Sequence, residues 1–238
     1  MIKRLYKQVV IALSVLKSIP GLIKIKKMNS DNTTKKKLLV MEATKKISSR
    51  IMNATSADIV VNGLDNIPNN ETALYISNHL AVYDIPLLVK IIPDQIGFIA
   101  KIELKKVPII NSWITEMNGL FLDRENKKQS LITIKEAIEK LKNGHSLVIF
   151  PQGTREKEEI IPFKGGSFSI ARNANVPIVP VAISGTNNIF KQNSKSNITV
   201  TFLNKKYISK ADNINDVAHT VENEIRQEIE RQKVLIKK

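Results

Sequence analysis

The 238-residue chain carries 37 Lys and Arg against 22 Asp and Glu, a formal charge of +15, with 42% apolar and 25% charged residues. Its apolar share excludes a disordered chain and suits one main core, since single domains commonly reach about 250 residues before splitting. The absence of Cys excludes disulfides, thiolate metal sites and a Cys nucleophile, while the positive charge calls for an anionic partner: nucleic acid, phospholipid headgroups or an acidic carrier.

At the start, Ile2, Leu5, Tyr6, Val9, Leu13 and Leu16 recur at helical spacing, with Lys3, Lys7 and Lys17 off that stripe. Pro20 and Gly21 are expected to end this helix. The longest apolar run here, Val9 to Leu16, contains Ser14, and no stretch approaches the roughly 20 residues of a spanning helix. Lys3, Arg4 and Lys7 precede the run, but Lys17 follows it and no small-residue cleavage site appears, so the segment is expected to stay in the mature protein. Lys35 to Met52 is again helix-like, with Leu39, Ala43, Ile47 and Ile51 on one face. Residues 1–54 therefore read as an amphipathic helical hairpin, and 55–238 as the main domain.

From residue 57, short apolar runs alternate with helical patterns. Ile59 to Val61, Ala73 to Ser77, Gly97 to Ala100, Gly119 to Leu122, Ser146 to Phe150, Ile178 to Ile183 and Ile198 to Phe202 are predicted strands, an alternation that implies an α/β sheet. A helix with Leu131, Ile134, Ile138 and Leu141 on one face is expected to stop at Asn143-Gly144. A terminal amphipathic helix carries Ile214, Val217, Val221, Ile225 and Ile229.

The chemistry concentrates in Ser77-Asn78-His79-Leu80-Ala81-Val82-Tyr83-Asp84, between the apolar run Ala73 to Ile76 and the helix-like Ile85-Pro86-Leu87-Leu88. Asp84 is expected to cap that helix, with Pro86 in its first turn. Residues five apart on one continuous helix point about 140° from each other, so His79 meets Asp84 only if it lies in the turn before the helix. An imidazole, with an ordinary pKa of about 6.5, is suited to take an alcohol's proton at neutral pH, and a carboxylate behind it would orient the ring and stabilise its charged form. His145 and His219 match no such pattern.

Three further blocks follow: Lys101-Ile102-Glu103-Leu104, then Pro108 and then Asn118-Gly119-Leu120-Phe121-Leu122-Asp123-Arg124, as one block; Phe150-Pro151-Gln152-Gly153-Thr154-Arg155; and Val176-Pro177-Ile178-Val179-Pro180-Val181. With the Asn-His-x4-Asp block, these resemble, in order, the four blocks of the lysophosphatidic acid and glycerolphosphate acyltransferase family over roughly residues 73–183. The resemblance implies an α/β fold of glycerolphosphate acyltransferase type, a mixed sheet flanked by helices and preceded here by the helical hairpin. It also implies His79 and Asp84 as the catalytic pair, and Lys101, Arg124, Gln152, Gly153, Thr154 and Arg155 as the substrate-binding set.

Arg124 and Arg155 each follow a predicted strand, at the sheet edge where open α/β folds bind ligands, and guanidinium groups match phosphate oxygens. Gly153 permits a backbone that a side chain would block, and the Thr154 hydroxyl would add a donor. Gln152 departs from the Glu usual in this family; an amide bonds an acceptor's hydroxyls without carrying charge, which opens the acceptor's identity.

The implied reaction moves a fatty acyl group from acyl-CoA or acyl carrier protein, a co-substrate rather than a cofactor, to the free hydroxyl of lysophosphatidic acid, with no metal. Glycerol 3-phosphate, another lysophospholipid or a lyso-aminolipid stand as other acceptors, and a non-catalytic binder of anionic lipid as another class. Nucleic acid is not expected as a partner, with 5% aromatics and no basic segment interleaved with them. The basic N-terminal helix, followed by Lys24, Lys26 and Lys27, suits an anionic bilayer surface, so a monotopic position on the cytoplasmic face of the cell membrane is expected.

Overall fold

The computed structural model describes residues 2–28, 33–155, 162–189 and 196–236. Seven strands form one sheet: β1 (Asp58–Asn62), β2 (Leu74–Ser77), β3 (Ile96–Lys101), β4 (Leu120–Leu122), β5 (Ser146–Ile149), β6 (Ile178–Ser184) and β7 (Asn197–Phe202). Their order is β1-β7-β6-β2-β5-β3-β4. All neighbours run parallel except β6 and β7. Each apolar run read from the sequence is a strand, as expected.

Eight helices flank the sheet among the described residues: α1 (Ile2–Leu16), α2 (Ile19–Lys26), α3 (Thr33–Thr55), α4 (Asp84–Ile91), α5 (Pro108–Glu116), α6 (Lys127–Lys142), α7 (Gly166–Ala174) and α8 (Ile214–Ile236). Successive side chains in a strand point to opposite faces, and the two cores follow that alternation. Tyr75, Val148, Val179, Val181, Val200 and Phe202 pack with residues of α2 to α5. Leu74, Ile76, Leu147, Ile149, Ile178 and Ala182 pack with α6, α7 and α8. Continuous apolar runs were needed because β2, β5 and β6 are buried on both faces.

The N-terminal helices depart from expectation in two respects. Pro20 does not end the helical path; it lies in the first turn of α2, where its missing N–H would have had no partner anyway. Because helix resumes there, Gln8–Lys26, 19 residues of mean hydropathy 1.6, has the length and composition to cross a membrane. That corrects the reading that no stretch approaches such a length. Of the expected stripe, Val9, Leu13 and Leu16 stand on the outside with Ile23, each 45% to 51% exposed, while Ser14, Ser18, Leu22 and Ile25 face inward. The side chains of Ile2, Leu5 and Tyr6 lie outside the described residues.

Polar contacts tie this region to α5. The indole Nε1 of Trp113 donates to Ser18 Oγ at 2.9 Å, Lys26 Nζ donates to Ser112 Oγ at 2.6 Å, and Lys36 pairs with Glu116 at 2.9 Å. The buried Leu22, Ile25, Val40 and Met52 join the same core as the sheet face. In α6, Leu141 is buried, Ile134 and Ile138 pack on the core, and Leu131 is exposed, its expected place taken by Thr133 and Ala137.

Candidate active site

The site lies along the C-terminal edge of the parallel strands, where the register sets its parts side by side. β2 pairs with β5 so that Ile76 faces Ile149, which brings His79 alongside the Phe150–Arg155 turn. β3 pairs with β4 so that Lys101 faces Leu122, which places Lys101 and Arg124 at one end of the sheet. Every expected site residue is at this edge.

His79 occupies the turn between β2 and α4, as the spacing argument required. Its Nδ1 is 2.7 Å from Asp84 Oδ2, with Asp84 wholly buried and the His79 side chain 14% exposed. Asp84 Oδ2 also accepts from the Leu80 N–H at 2.7 Å and the Ala81 N–H at 2.9 Å. Oδ1 accepts from Thr186 Oγ1 at 2.5 Å. A carboxylate has only acceptors to offer, so Nδ1 carries the hydrogen and Nε2 keeps a free lone pair. The expectation that Asp84 caps α4 is corrected: it is the first residue of the helix, Tyr83 being the cap. Its side chain leans back toward the N-terminus, as helical Cβ bonds do, and gathers the preceding turn instead.

The ring plane of His79 is set by Phe150, stacked at 4.1 Å between centroids and 17° between planes. Phe150 in turn stacks on Phe98 at 6.4 Å. The backbone on either side is pinned as well. Gln152 Oε1, buried, accepts the His79 N–H at 2.8 Å, and the buried Asn78 side chain bonds both the N–H and the carbonyl of Ile183 at 2.9 Å. Gln152 thus reaches the dyad's backbone, a contact that its amide makes without needing charge.

Gly153 has φ +80°, and a Cβ there would come within 2.5 Å of Arg124 Nη1 and 2.8 Å of its Cζ. The guanidinium therefore packs onto the bare backbone of the Phe150–Arg155 turn. Losing part of its hydration in this contact lowers the Arg124 pKa, against the nearby Glu103 charge, though an Arg stays charged at any physiological pH. The loop bearing Arg124 is braced by Asp123 Oδ1, which accepts from the Glu125 and Asn126 N–H groups at 3.1 and 3.3 Å, and by Asn126, which caps α6 through Gln129 N–H at 3.1 Å. Thr154, Arg155 and Lys101 are exposed, and among the described residues no carboxylate forms an ion pair with Arg124, Arg155 or Lys101.

The arrangement provides a proton acceptor on an oriented imidazole and, at the same sheet edge, cations with no carboxylate ion pair among the described residues, which suits proton removal from the alcohol of a phosphorylated molecule. Among the described residues no group of three His, Asp or Glu is placed to hold a metal ion. Sequence reasoning missed Phe150 as the ring's stacking partner, although the motif included it, and missed Thr186 altogether. A Gly-Thr after a buried strand is the sole local signal for the latter.

The family model described as Acyltransferase matches residues 58–184. The chain is 34% identical over 166 residues to the chloroplastic 1-acyl-sn-glycerol-3-phosphate acyltransferase BAT2 of Brassica napus, covering 66% of this chain and 48% of that protein. It is 38% identical over 124 residues to the 1-acyl-sn-glycerol-3-phosphate acyltransferase of Helicobacter pylori, 51% of this chain and 52% of the relative. The chain spans about half the length of the curated relatives it matches. In structure, the crystal structure of the 1-acyl-sn-glycerophosphate acyltransferase PlsC from Thermotoga maritima superposes with a TM-score of 0.81 at 26% identity, covering 97% of this chain and 95% of that one.

Proposed function

We propose, from the premise that this chain belongs to the acyltransferase family, that it transfers a fatty acyl group from a thioester to the free hydroxyl of lysophosphatidic acid. The observation that carries this reading is the His79–Asp84 pair, 2.7 Å apart with Asp84 fully buried. His79 Nε2 takes the hydroxyl proton and the oxygen attacks the thioester carbonyl. The C–S bond then breaks, and the imidazolium returns the proton to the departing thiolate. Arg124, Arg155 and Lys101 hold the acceptor's phosphate; among the described residues no carboxylate forms an ion pair with them. Gln152 supports His79 from behind, and Gly153 lets Arg124 close on the turn.

The donor is acyl-CoA or acyl carrier protein, and an acidic carrier suits the +15 chain. The exposed ridge Val9, Leu13, Leu16 and Ile23, flanked by Lys17, Lys24 and Lys27, supports attachment to an anionic bilayer surface, where the acceptor resides.

The test is thiol release from each donor with lysophosphatidic acid present, for the wild type and His79→Ala. Acceptor-dependent release that falls about 1,000-fold in the variant is the expected result. Equal background in both, across lysophosphatidic acid, glycerol 3-phosphate and lyso-aminolipids, would leave a lipid-binding protein without this chemistry.

A further inference from the structure

We infer that Thr186 is a positioning residue for the dyad, holding Asp84 in the orientation that His79 needs; the inference rests on the catalytic reading of that pair. Asp84 is fully buried, so no bulk water reaches its carboxylate. Oδ2 is engaged by three donors, from His79, Leu80 and Ala81. Oδ1 has, among the described residues, one: the Thr186 hydroxyl. A buried charge left without a partner is far costlier than an exposed one. The Thr186 bond therefore decides whether both oxygens are satisfied with the carboxylate in this rotamer.

The placement of Thr186 is built, not incidental. It is 1% exposed and opens a short 3-10 turn, Thr186–Asn188, just past β6. Gly185 before it has φ +86°, and a Cβ there would lie 1.9 Å from the Asn197 carbonyl oxygen. No other residue lets the chain turn so close against β7, and the turn aims the hydroxyl at Asp84. Three residues earlier, Ile183 is clasped by Asn78 through both its N–H and its carbonyl. The result is a closed ring of contacts: Asn78 to β6, β6 to Thr186, Thr186 to Asp84, Asp84 to His79, and His79 back to Asn78 along the chain. The last turn of β6 thus references both members of the dyad to one strand.

Asp84 needs this because a carboxylate free to rotate would trade its bond to His79 Nδ1 for other partners, and the imidazole would lose the tautomer that frees Nε2. Thr186→Val removes the hydroxyl at nearly constant volume, and Thr186→Ser restores it without the methyl. Partners that orient the ligands of a metal site cost about 10- to 100-fold when removed, and a partner that orients the carboxylate behind an imidazole is expected to act on the same scale. Thr186→Val should therefore lower kcat by about 10- to 100-fold while the KM for the acceptor stays within about twofold, and Thr186→Ser should recover most of the loss.

Imidazole 15N NMR provides a readout independent of turnover, aided by the chain having only three His. The wild type should show His79 as the Nδ1–H tautomer, and Thr186→Val should show mixed tautomers or an exchange-broadened Nδ1–H, with Thr186→Ser like the wild type. An unchanged His79 spectrum in Thr186→Val overturns the inference, as does a Ser variant that fails like the Val variant. If the wild type turns over no thioester, the functional reading falls while the NMR comparison still decides the bond's role.

Discussion

The two halves of the site are built on opposite principles. Around His79 the groups behind the ring are committed and Nε2 alone of the imidazole is left open: Asp84 accepts four hydrogen bonds, Phe150 fixes the ring plane, and Gln152 and Asn78 pin the backbone. Around Arg124 and Arg155 the charges are left without carboxylate partners among the described residues, and Lys101, Thr154 and Arg155 are open to solvent. A group that moves a proton must hold one geometry, whereas a group that recruits a charged ligand must keep its charge available. Under the proposed function, saturation marks the half that would do chemistry, and incompleteness the half that would bind.

This contrast predicts different failures. Asp84→Asn should be the most damaging change, because an amide offers His79 Nδ1 a donor as readily as an acceptor and the tautomer is lost; kcat should drop about 1,000- to 10,000-fold with little change in acceptor KM. A large rise in KM instead would mean that the dyad belongs to the binding half. Next, Arg124→Ala should lower kcat/KM for a phosphorylated acceptor by about 10- to 100-fold, the equivalent of about 1.5–3 kcal/mol for a charged hydrogen bond. If the loss is the same for an uncharged alcohol acceptor, Arg124 does not read phosphate.

Gly153→Ala lies on the boundary between the halves, since it disturbs both the left-handed turn and the seat of Arg124. It should cost about 1–3 kcal/mol of stability in urea unfolding and weaken acceptor binding more than turnover. The smallest effect is expected at His145, outside both halves. Burial, then the charges of Lys140 and Lys37, lower its pKa, and the Asn118 amide donates to its Nδ1 at 3.3 Å, a bond that requires the neutral ring. The folded state therefore binds this proton less readily than the unfolded chain. Stability should be full above the unfolded value of about 6.5 and decline as pH falls from there to the depressed folded value. His145→Gln should flatten that slope in thermal melts between pH 7 and 5; an unchanged slope assigns it to other groups.

The difference between the halves also explains what the sequence disclosed. The strands were legible because β2, β5 and β6 are buried on both faces and must be written as unbroken apolar runs. His79 and Asp84 were legible because the four residues between them suffice to join them through a turn. Arg124, Gly153 and Arg155 were legible as motif members, although the packing of the guanidinium over Gly153 required the register of β3, β4 and β5. Pro20 was misread because local propensity does not reveal whether a proline closes one helix or opens the next. The place of Asp84 in α4 was misread by one residue because a cap and a first-turn residue look alike in sequence, while its contact with His79 was read correctly. Thr186 was missed: its partner is 102 residues away, and the Gly-Thr that follows β6 says nothing by itself of a contact set by the antiparallel return of β7 against β6.

That separation has a consequence for how the site comes into being. The pair His79–Asp84 can form as soon as its turn is made, but its neighbours in the sheet, β5 and β6, are synthesised about 70 and 100 residues later. A chain emerging from the ribosome therefore carries the reactive pair long before it carries the strand that squares it. Premature termination between residues 85 and 185 should yield a protein in which both residues are present and neither is in working order.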